Sequence, residues 1–328
     1  MLRVVYILVS GEKDYYYEQF LISATSLKYR MYNVEIVLLT EQYTNKYIQK
    51  NHKEVNAIAD RIIVYEMAKD YSMVARSRVL KTKMRELIEG DFLYIDCDTV
   101  ICDNLEDIGG IEHSSAVLDC HSRLSEKLYE FGPVKERAEN FQFSPGYKNQ
   151  HFNSGVIWCK DDERTRDFFS RWHDTWFETY TQGIISDQLS FNEVNHEMRG
   201  AIVAMEGIWN CQIKYGVQYL AKAKIIHYFA TNINCDIQEK KFAYKLADVK
   251  AWKQVKERNG IPNEIMKLLY NPKDAFEKAL LIEVDTANYH ILNSNIGGLI
   301  RWLYRKHSNL YRMIDAFGSR LKKVMHIG

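Results

Sequence analysis

The sequence predicts an α/β fold: a doubly wound, mixed but mainly parallel sheet with a helical C-terminal extension. Three observations predict it. Apolar runs alternate with helical patterns from the start of the chain; one of those runs closes on two acids one residue apart; and beyond about residue 238 the alternation gives way to charged helical sequence. Strands separated by helices imply right-handed parallel crossovers, and a sheet wound in that way binds ligands outside the carboxyl ends of its strands.

Residues 3–9 are continuously apolar, as expected of a strand buried on both faces. Residues 10–14 turn the chain, after which Phe20, Leu21, Ala24 and Leu27 recur at helical spacing. A second strand at 34–40, a polar helix within 41–60 and a third strand at 61–67 follow. The helix expected over 72–89 turns Val79, Met84, Leu87 and Ile88 inward and leaves Arg76, Arg78, Lys81, Lys83 and Arg85 as a basic surface. Next comes the apolar run that ends in Asp96-Cys97-Asp98. Side chains on a strand alternate, so Asp96 and Asp98 point the same way where the strand leaves the sheet.

A further strand, 115–120, carries Asp119 near its end, and Asn153-Ser154-Gly155 leads into another at 152–158. A Gly and a Ser there let the backbone come close to a ligand. The amphipathic helix at 161–180 has Phe168, Phe169, Trp172 and Trp176 as core residues, and Ser186 is the expected cap of the helix that begins at Asp187-Gln188. Short strands are expected at 201–205 and 224–229, the latter containing His227. From there 239–259 reads as a charged helix ended by Gly260-Ile261-Pro262, and 299–327 reads as one last helix. That helix has Leu310, Ile314, Phe317, Leu321 and Val324 on one stripe and a basic opposite face. The division is therefore a domain at 1–237 and a helical extension at 238–328.

Hydrophobic residues make up 46% and charged residues 27%, with a formal net charge of +1, which argues against a general nucleic-acid binder and against an acidic disordered chain. The six cysteines, at 97, 102, 120, 159, 211 and 235, have no Cys-x-x-Cys spacing and suit free thiols in a reducing cytosol. The apolar N-terminal run is too short for a signal peptide, and no window reaches the length of a membrane span. Two convergent carboxylates repel each other and are held most readily by a hard divalent cation, which can in turn grip a diphosphate. An Asp-x-Asp alone is a weak signal; its place at the close of an apolar strand strengthens it.

Taken in order, Asp96-Cys97-Asp98, Phe152-Asn153-Ser154-Gly155-Val156, Ser186-Asp187-Gln188 and Ile225-Ile226-His227-Tyr228-Phe229 resemble the motifs of family 8 glycosyltransferases, the group that contains glycogenin and bacterial lipopolysaccharide galactosyl- and glucosyltransferases. The resemblance covers about residues 3–229. It implies the GT-A nucleotide-sugar-binding fold, a UDP-hexose donor (UDP-galactose or UDP-glucose), Mn²⁺ with Mg²⁺ as the alternative ion, and retention of the anomeric configuration. By motif, Asp96, Asp98 and His227 resemble the metal ligands, a set whose oxygen-rich character with one imidazole suits Mn²⁺. Asp187 and Gln188 match the catalytic Asp-Gln pair, Asp187 on sugar hydroxyls and Gln188 near the face where a nucleophile or an oxocarbenium stabiliser sits. A neutral amide is a poor nucleophile, which favours a front-face reaction over a covalent intermediate. Donor contacts carry over to Asn153, Ser154, Asp119 and Arg78, the last with Lys81 and Lys83 as rivals in register. Tyr16 or Tyr15 matches the aromatic on the uracil, with Tyr16 the better fit by spacing.

Read alone, these residues are plainer: His227 is a hydrogen-bonded core histidine, Asp187-Gln188 a helix start with an exposed amide, and Asn153 a turn residue. One departure stands out. Where the family often has a Gly and then a Lys that clamps the diphosphate, this chain runs Tyr228-Phe229-Ala230-Thr231-Asn232-Ile233-Asn234, leaving Lys240 or Lys241 to reach in. Two other classes compete: a haloacid-dehalogenase-like phosphatase, whose Asp-x-Asp-x-Thr/Val pattern also fits Asp96 to Val100, and a non-catalytic sugar-nucleotide-binding protein. The acceptor implied by the resemblance is a glycan or glycolipid of the cell surface, with no nucleic-acid partner. The basic helix within 299–328 points to an anionic membrane surface, hence to a cytoplasmic protein held on the inner face, or to a helix packed on the catalytic domain or a partner with its basic face solvated.

Overall fold

The computed structural model describes residues 1–68, 71–215, 218–229, 245–277, 290–291 and 294–325. Ten strands are described: β1 (Leu2–Leu8), β2 (Val34–Glu41), β3 (Arg61–Tyr65), β4 (Phe92–Ile95), β5 (Thr99–Ile101), β6 (Ser115–Leu118), β7 (Phe152–Cys159), β8 (Val203–Ala204), β9 (Cys211–Gln212) and β10 (Ile225–His227). Seven of them form one sheet in the order β3-β2-β1-β4-β7-β6-β8. The first four run parallel, β7 is antiparallel to both its neighbours, and β6 and β8 pair parallel. The mixed, mainly parallel sheet expected from the alternation is thus present. In a second sheet, β5-β10-β9, the strand expected at 224–229 pairs with β5 and β9, which at three and two residues leave no periodicity to read.

Strand alternation divides the core in two. Val4, Tyr6 and Leu8 of β1, with Leu93 and Ile95 of β4, face α1 (Tyr16–Arg30) and the small sheet; Val5, Ile7, Phe92 and Tyr94 face the opposite layer. That layer consists of α4 (Met73–Leu87), α6 (Glu163–Thr181) and α7 (Gln188–Glu197). The polar stretch after β2 forms α2 (Gln42–Asn51) and the short α3 (Val55–Ile58), and α5 (Leu128–Asn140) lies between β6 and β7. Of the later sequence, α8 (Val249–Arg258) and α9 (Asn263–Tyr270) bury Trp252, Val255, Ile265 and Leu269 in the same cluster as α1. The segment 239–244 and the boundary at 237/238 lie outside the described residues.

Three sequence expectations are corrected. The single last helix is two, Asn295–Lys306 and Ser308–Met325, broken at His307. Ser186 does not cap α7; Asp187 holds the cap position, and its side chain is turned to other partners. The basic surface of α4 is largely not a surface. Lys81 and Arg85 are 2% and 1% exposed, because Arg78, Lys81 and Arg85 follow the helical repeat onto the face packed against the sheet and α6.

Helix α6 does more than fill the core. Its Trp172 and Trp176 donate their indole N–H groups to the carbonyls of Asp187 (2.9 Å) and Ile185 (3.2 Å), and Trp172 packs edge to face on Phe191 with centroids 4.8 Å apart. The chain leading into α7 is therefore tied to α6 by two hydrogen bonds. Trp172→Ala is expected to cost about 3–5 kcal/mol in denaturant unfolding. Trp172→Phe, which keeps a ring and removes one of the three donors to the Asp187 carbonyl (Ser190 Oγ at 2.9 Å and the Phe191 N–H at 3.1 Å remain), is expected to cost only about 0.5–1.5 kcal/mol.

Candidate active site

The site lies at the edge of the sheet where β4 and β6 end and β7 begins. Asp96 follows β4 directly, and its N–H donates to the Gly155 carbonyl at 2.8 Å. Thr99 Oγ1 then bonds back to the Asp96 carbonyl (2.9 Å), so the Asp-x-Asp segment is a closed turn. Beneath it runs a buried chain of hydroxyls: Tyr6 to Ser23 at 3.0 Å and Ser23 to Thr99 at 2.8 Å. Strand β10 pairs with β5 so that His227 lies opposite Thr99, which places its Nε2 at 3.2 Å from Asp98 Oδ1.

Asp96, Asp98 and His227 each offer one ligand atom, and the three atoms lie within 4.8 Å of one another. Burial opposes a charge on the imidazole, yet the neighbouring Asp98 and then Asp96 carboxylates raise the His227 pKa above its ordinary value. The cluster is thus short of positive charge, which is the condition a divalent cation satisfies. His227 Nδ1 lies 3.1 Å from Asn210 Oδ1, which assigns the ring proton to Nδ1 and leaves Nε2 as the ligand nitrogen. Gly155 is required by this packing: a Cβ there would overlap the His227 ring and lie 2.8 Å from Asp96 Oδ2. Sequence reasoning expected close backbone approach at Gly155, but what approaches is the candidate metal-ligand set.

Next to it is a buried charge cluster. Lys81, only 3% exposed in its side chain, sits 3.6 Å from Asp96 Oδ1 and 3.3 Å from Asp187 Oδ2, and donates to Ser154 Oγ at 3.2 Å. Arg78 Nε pairs with Asp187 Oδ1 at 2.8 Å, and Ser154 Oγ donates to Asp187 Oδ2 at 3.0 Å. Tyr94 completes the set by donating its hydroxyl to Asp96. Lys83, the other rival in register, instead pairs with Glu86 at 3.0 Å on the outer face.

On the far side of β7, Asn153 is the hub. Its amide donates to Asp119 Oδ1 (3.1 Å) and reaches Gln188 Oε1 (3.5 Å), while its Oδ1 accepts from the Gly155 N–H and from Asn210 Nδ2, both at 3.0 Å. Gln188 Nε2 donates to Asp119 Oδ2 at 3.0 Å. Gln188 is accordingly not a loose surface amide. Tyr16 is half-buried at the start of α1; burial, and then the Asp14 and Asp98 carboxylates, raise its pKa. Tyr15 instead faces Trp252 of α8, with centroids 6.2 Å apart. Lys240 and Lys241 lie outside the described residues.

All ten sequence-predicted site residues thus fall at this edge, in three linked groups. Sequence reasoning has Lys81 only as a rival in register to Arg78, and it does not find Asn210 or His151. The spacing of Arg78, Lys81 and Arg85 was a usable signal for the first; nothing in the local sequence marked the other two.

Comparison with known proteins bears on what this arrangement does. Residues 35–261 match the model of the nucleotide-diphospho-sugar transferase family, well over half of the chain and all three groups apart from Tyr16. The chain belongs to that family. It is a glycosyltransferase of the family 8-like kind, and the phosphatase alternative is set aside. Among solved structures, the bifunctional glycosyltransferase WbbM aligns with a TM-score of 0.50 at 16% identity, over 82% of this chain and 51% of that one, a likeness of fold. The galactosyltransferase LgtC, solved with donor and acceptor sugar analogues, aligns at 0.49 and 13% identity over 81% of this chain and 99% of that one. Mouse xyloside xylosyltransferase 1 aligns at 0.47 and 13%, over 71% and 99%. A sequence search of curated proteins finds no match. The transferase has the GT-A fold with a helical C-terminal region.

The Asp187 carboxylate has a measurable signature. Burial alone would raise its pKa, but Arg78 and then Lys81 lower it to about 2 from 3.8. A depressed pKa contributes stability that is present above the unfolded value and lost as pH falls through the folded one. The transferase should therefore lose about 2 kcal/mol of unfolding free energy between pH 4 and pH 2 through this group. Asp187→Asn should be less stable at neutral pH and flatter in that window, as read by urea unfolding at a series of pH values.

Proposed function

We propose that this transferase moves a hexose, galactose or glucose, from a UDP-sugar to a glycan or glycolipid acceptor with retention at the anomeric carbon. The setting is synthesis of a cell-surface polysaccharide or lipopolysaccharide on the cytoplasmic side of the membrane. One observation carries the reading: three candidate ligands for a divalent cation stand beside a carboxylate and carboxamide network at one edge of the sheet. Asp96, Asp98 and His227 would hold Mn²⁺ or Mg²⁺, which when bound supplies Lewis-acid neutralisation of the departing diphosphate.

The chain's own residues supply the rest. Asp187, Asp119 and Asn153 present acceptors and a donor to sugar hydroxyls, with Ser154 and Arg78 holding Asp187 in place. Tyr16 supplies a ring for the base. Gln188, neutral and hydrogen-bonded at both ends of its amide, is suited to stabilise positive charge at the anomeric carbon, not to form a bond to it. Retention then follows a front-face course in which the departing phosphate takes the acceptor hydroxyl's proton.

Calorimetric titration of UDP with and without Mn²⁺ tests this reading. Binding is expected to need the metal, and Asp98→Ala is expected to weaken it at least about 100-fold. Turnover of UDP-galactose against UDP-glucose then names the donor. Metal-independent binding, or none, would sink the proposal.

The C-terminal helices favour attachment to an anionic membrane. Ile296, Leu299, Trp302, Met313, Ile314 and Phe317 are all more than half exposed, on helices whose other positions include Arg301, Arg305, Lys306 and Arg320. No described helix is long and apolar enough to cross a membrane. Deleting residues 299–328 is expected to abolish sedimentation with phosphatidylglycerol-containing liposomes while leaving UDP binding intact. Unchanged sedimentation would remove the membrane reading.

A further inference from the structure

A carboxamide has two faces of opposite polarity, so the chemistry available to Gln188 depends on which end is turned to the site. Asp119 Oδ2, a carboxylate oxygen that accepts, favours the nitrogen on its side, while Asp119 Oδ1 receives the Asn153 amide. The second acceptor on that side is His151, which is 1% exposed and precedes the first residue of β7. Its Nδ1 lies 2.6 Å from the Pro145 carbonyl, an atom that can only accept, so Nδ1 carries the proton. In the neutral ring Nε2 is then a bare acceptor, and it lies 3.2 Å from Gln188 Nε2. Burial keeps the ring in that neutral state by lowering its pKa.

We propose that His151 is a positioning residue whose Nε2 fixes the Gln188 carboxamide with its nitrogen inward and Oε1 toward Asn153 and the sugar. With the amide reversed, Oε1 would face two acceptors, His151 Nε2 and Asp119 Oδ2, while the nitrogen would meet the Asn153 donor. Every partner would then be mismatched. His151 is held in turn: its ring stands edge to face against Phe131 of α5, centroids 5.9 Å apart, and its carbonyl accepts from the Asp119 N–H at 2.8 Å. One residue therefore holds the acid that receives Gln188 through its carbonyl and the direction in which Gln188 points through its ring.

The inference deepens the proposed transfer reaction and rests on it for the meaning of the Oε1 direction, but the orientation itself can be read without turnover. In ¹⁵N-labelled full-length protein at pH 7, His151 should show a protonated Nδ1 and an unprotonated Nε2. The opposite tautomer, or rapid exchange between the two, overturns the proposal whether or not any sugar is transferred. In steady-state assays with the UDP-sugar that the wild type turns over, His151→Phe should lower kcat about 10–100-fold, with donor KM and Mn²⁺-dependent UDP affinity within about twofold. His151→Gln, whose Oε1 can occupy the position of the lost acceptor, should recover most of that loss. Unchanged kcat in His151→Phe overturns the proposal, as does a parallel loss of UDP affinity and melting temperature in both variants, which would mark a merely structural histidine. Absence of turnover in the wild type would instead count against the transferase reading and leave the tautomer measurement to decide.

Discussion

One buried ammonium holds the candidate active site together. Lys81 is shared by Asp96, which follows a strand of the sheet, and Asp187, which opens a helix on one side of it. Neither carboxylate belongs to the same element as the other, and without a cation between them they would repel across an almost dry gap. Arg78, three residues earlier on the same face of α4, takes the second oxygen of Asp187. Burying such a group is costly, and deleting one member leaves an uncompensated charge worth about 3–5 kcal/mol. Helix α4 is therefore both a core helix and the source of the cations that bring two candidate functional acids together.

The polar network beside this cluster extends the same logic to neutral groups. Asn153 satisfies both ends of its amide within the site, and Asn210, which donates to Asn153, accepts the Nδ1 proton of His227 in a hydrogen bond. Orientation thus passes from Asp119 through two amides to the candidate metal ligand. Networks of this kind stiffen when every member is satisfied and loosen together when one is removed. Asn192 adds a mechanical tie, donating from α7 to the Phe152 and Gln188 carbonyls at 3.0 and 2.8 Å, so the start of β7 and the first residue of α7 move as a unit.

Much of this was legible in the sequence because it follows from short-range rules. The alternation of strand and helix gave the layers, and the close of an apolar run gave the place of Asp96 and Asp98; their convergence comes from the turn after β4 and not from strand alternation, since both lie beyond Ile95. What was not legible depends on distance in the chain. His151 and Asn210 reach the site through Gln188 and Asn153, 37 and 57 residues away in the chain, and their local sequence is unremarkable. Lys81 was misread for a different reason. Five basic residues on one helix suggest a solvated surface, but the repeat of Arg78, Lys81 and Arg85 selects the inward face, where two acids and a row of carbonyls await them. Of the second sheet only its central strand is legible, because pairings of two or three residues have no pattern of their own.

The reversal of one strand explains why these groups can meet at all. In a wholly parallel sheet only strand ends would reach this edge, and β7 would offer Cys159 and Lys160. Because β7 runs antiparallel, Ile95 lies opposite Val156 and Leu118 opposite Phe152, so the beginning of β7 stands between two strand ends. Asp96 is thereby placed on one side of Asn153-Ser154-Gly155 and Asp119 on the other. The three residues then divide the work by size: Asn153 bridges to Asp119, Ser154 reaches back to Lys81 and Asp187, and Gly155 stays bare so that His227 and Asp96 can close over it. A larger residue at the third position would separate the ligand set, and an apolar one at the first would disconnect it from Gln188. The motif at the start of β7 is thus a consequence of topology, since only an antiparallel strand presents three consecutive small or polar residues to both neighbours at a ligand-facing edge.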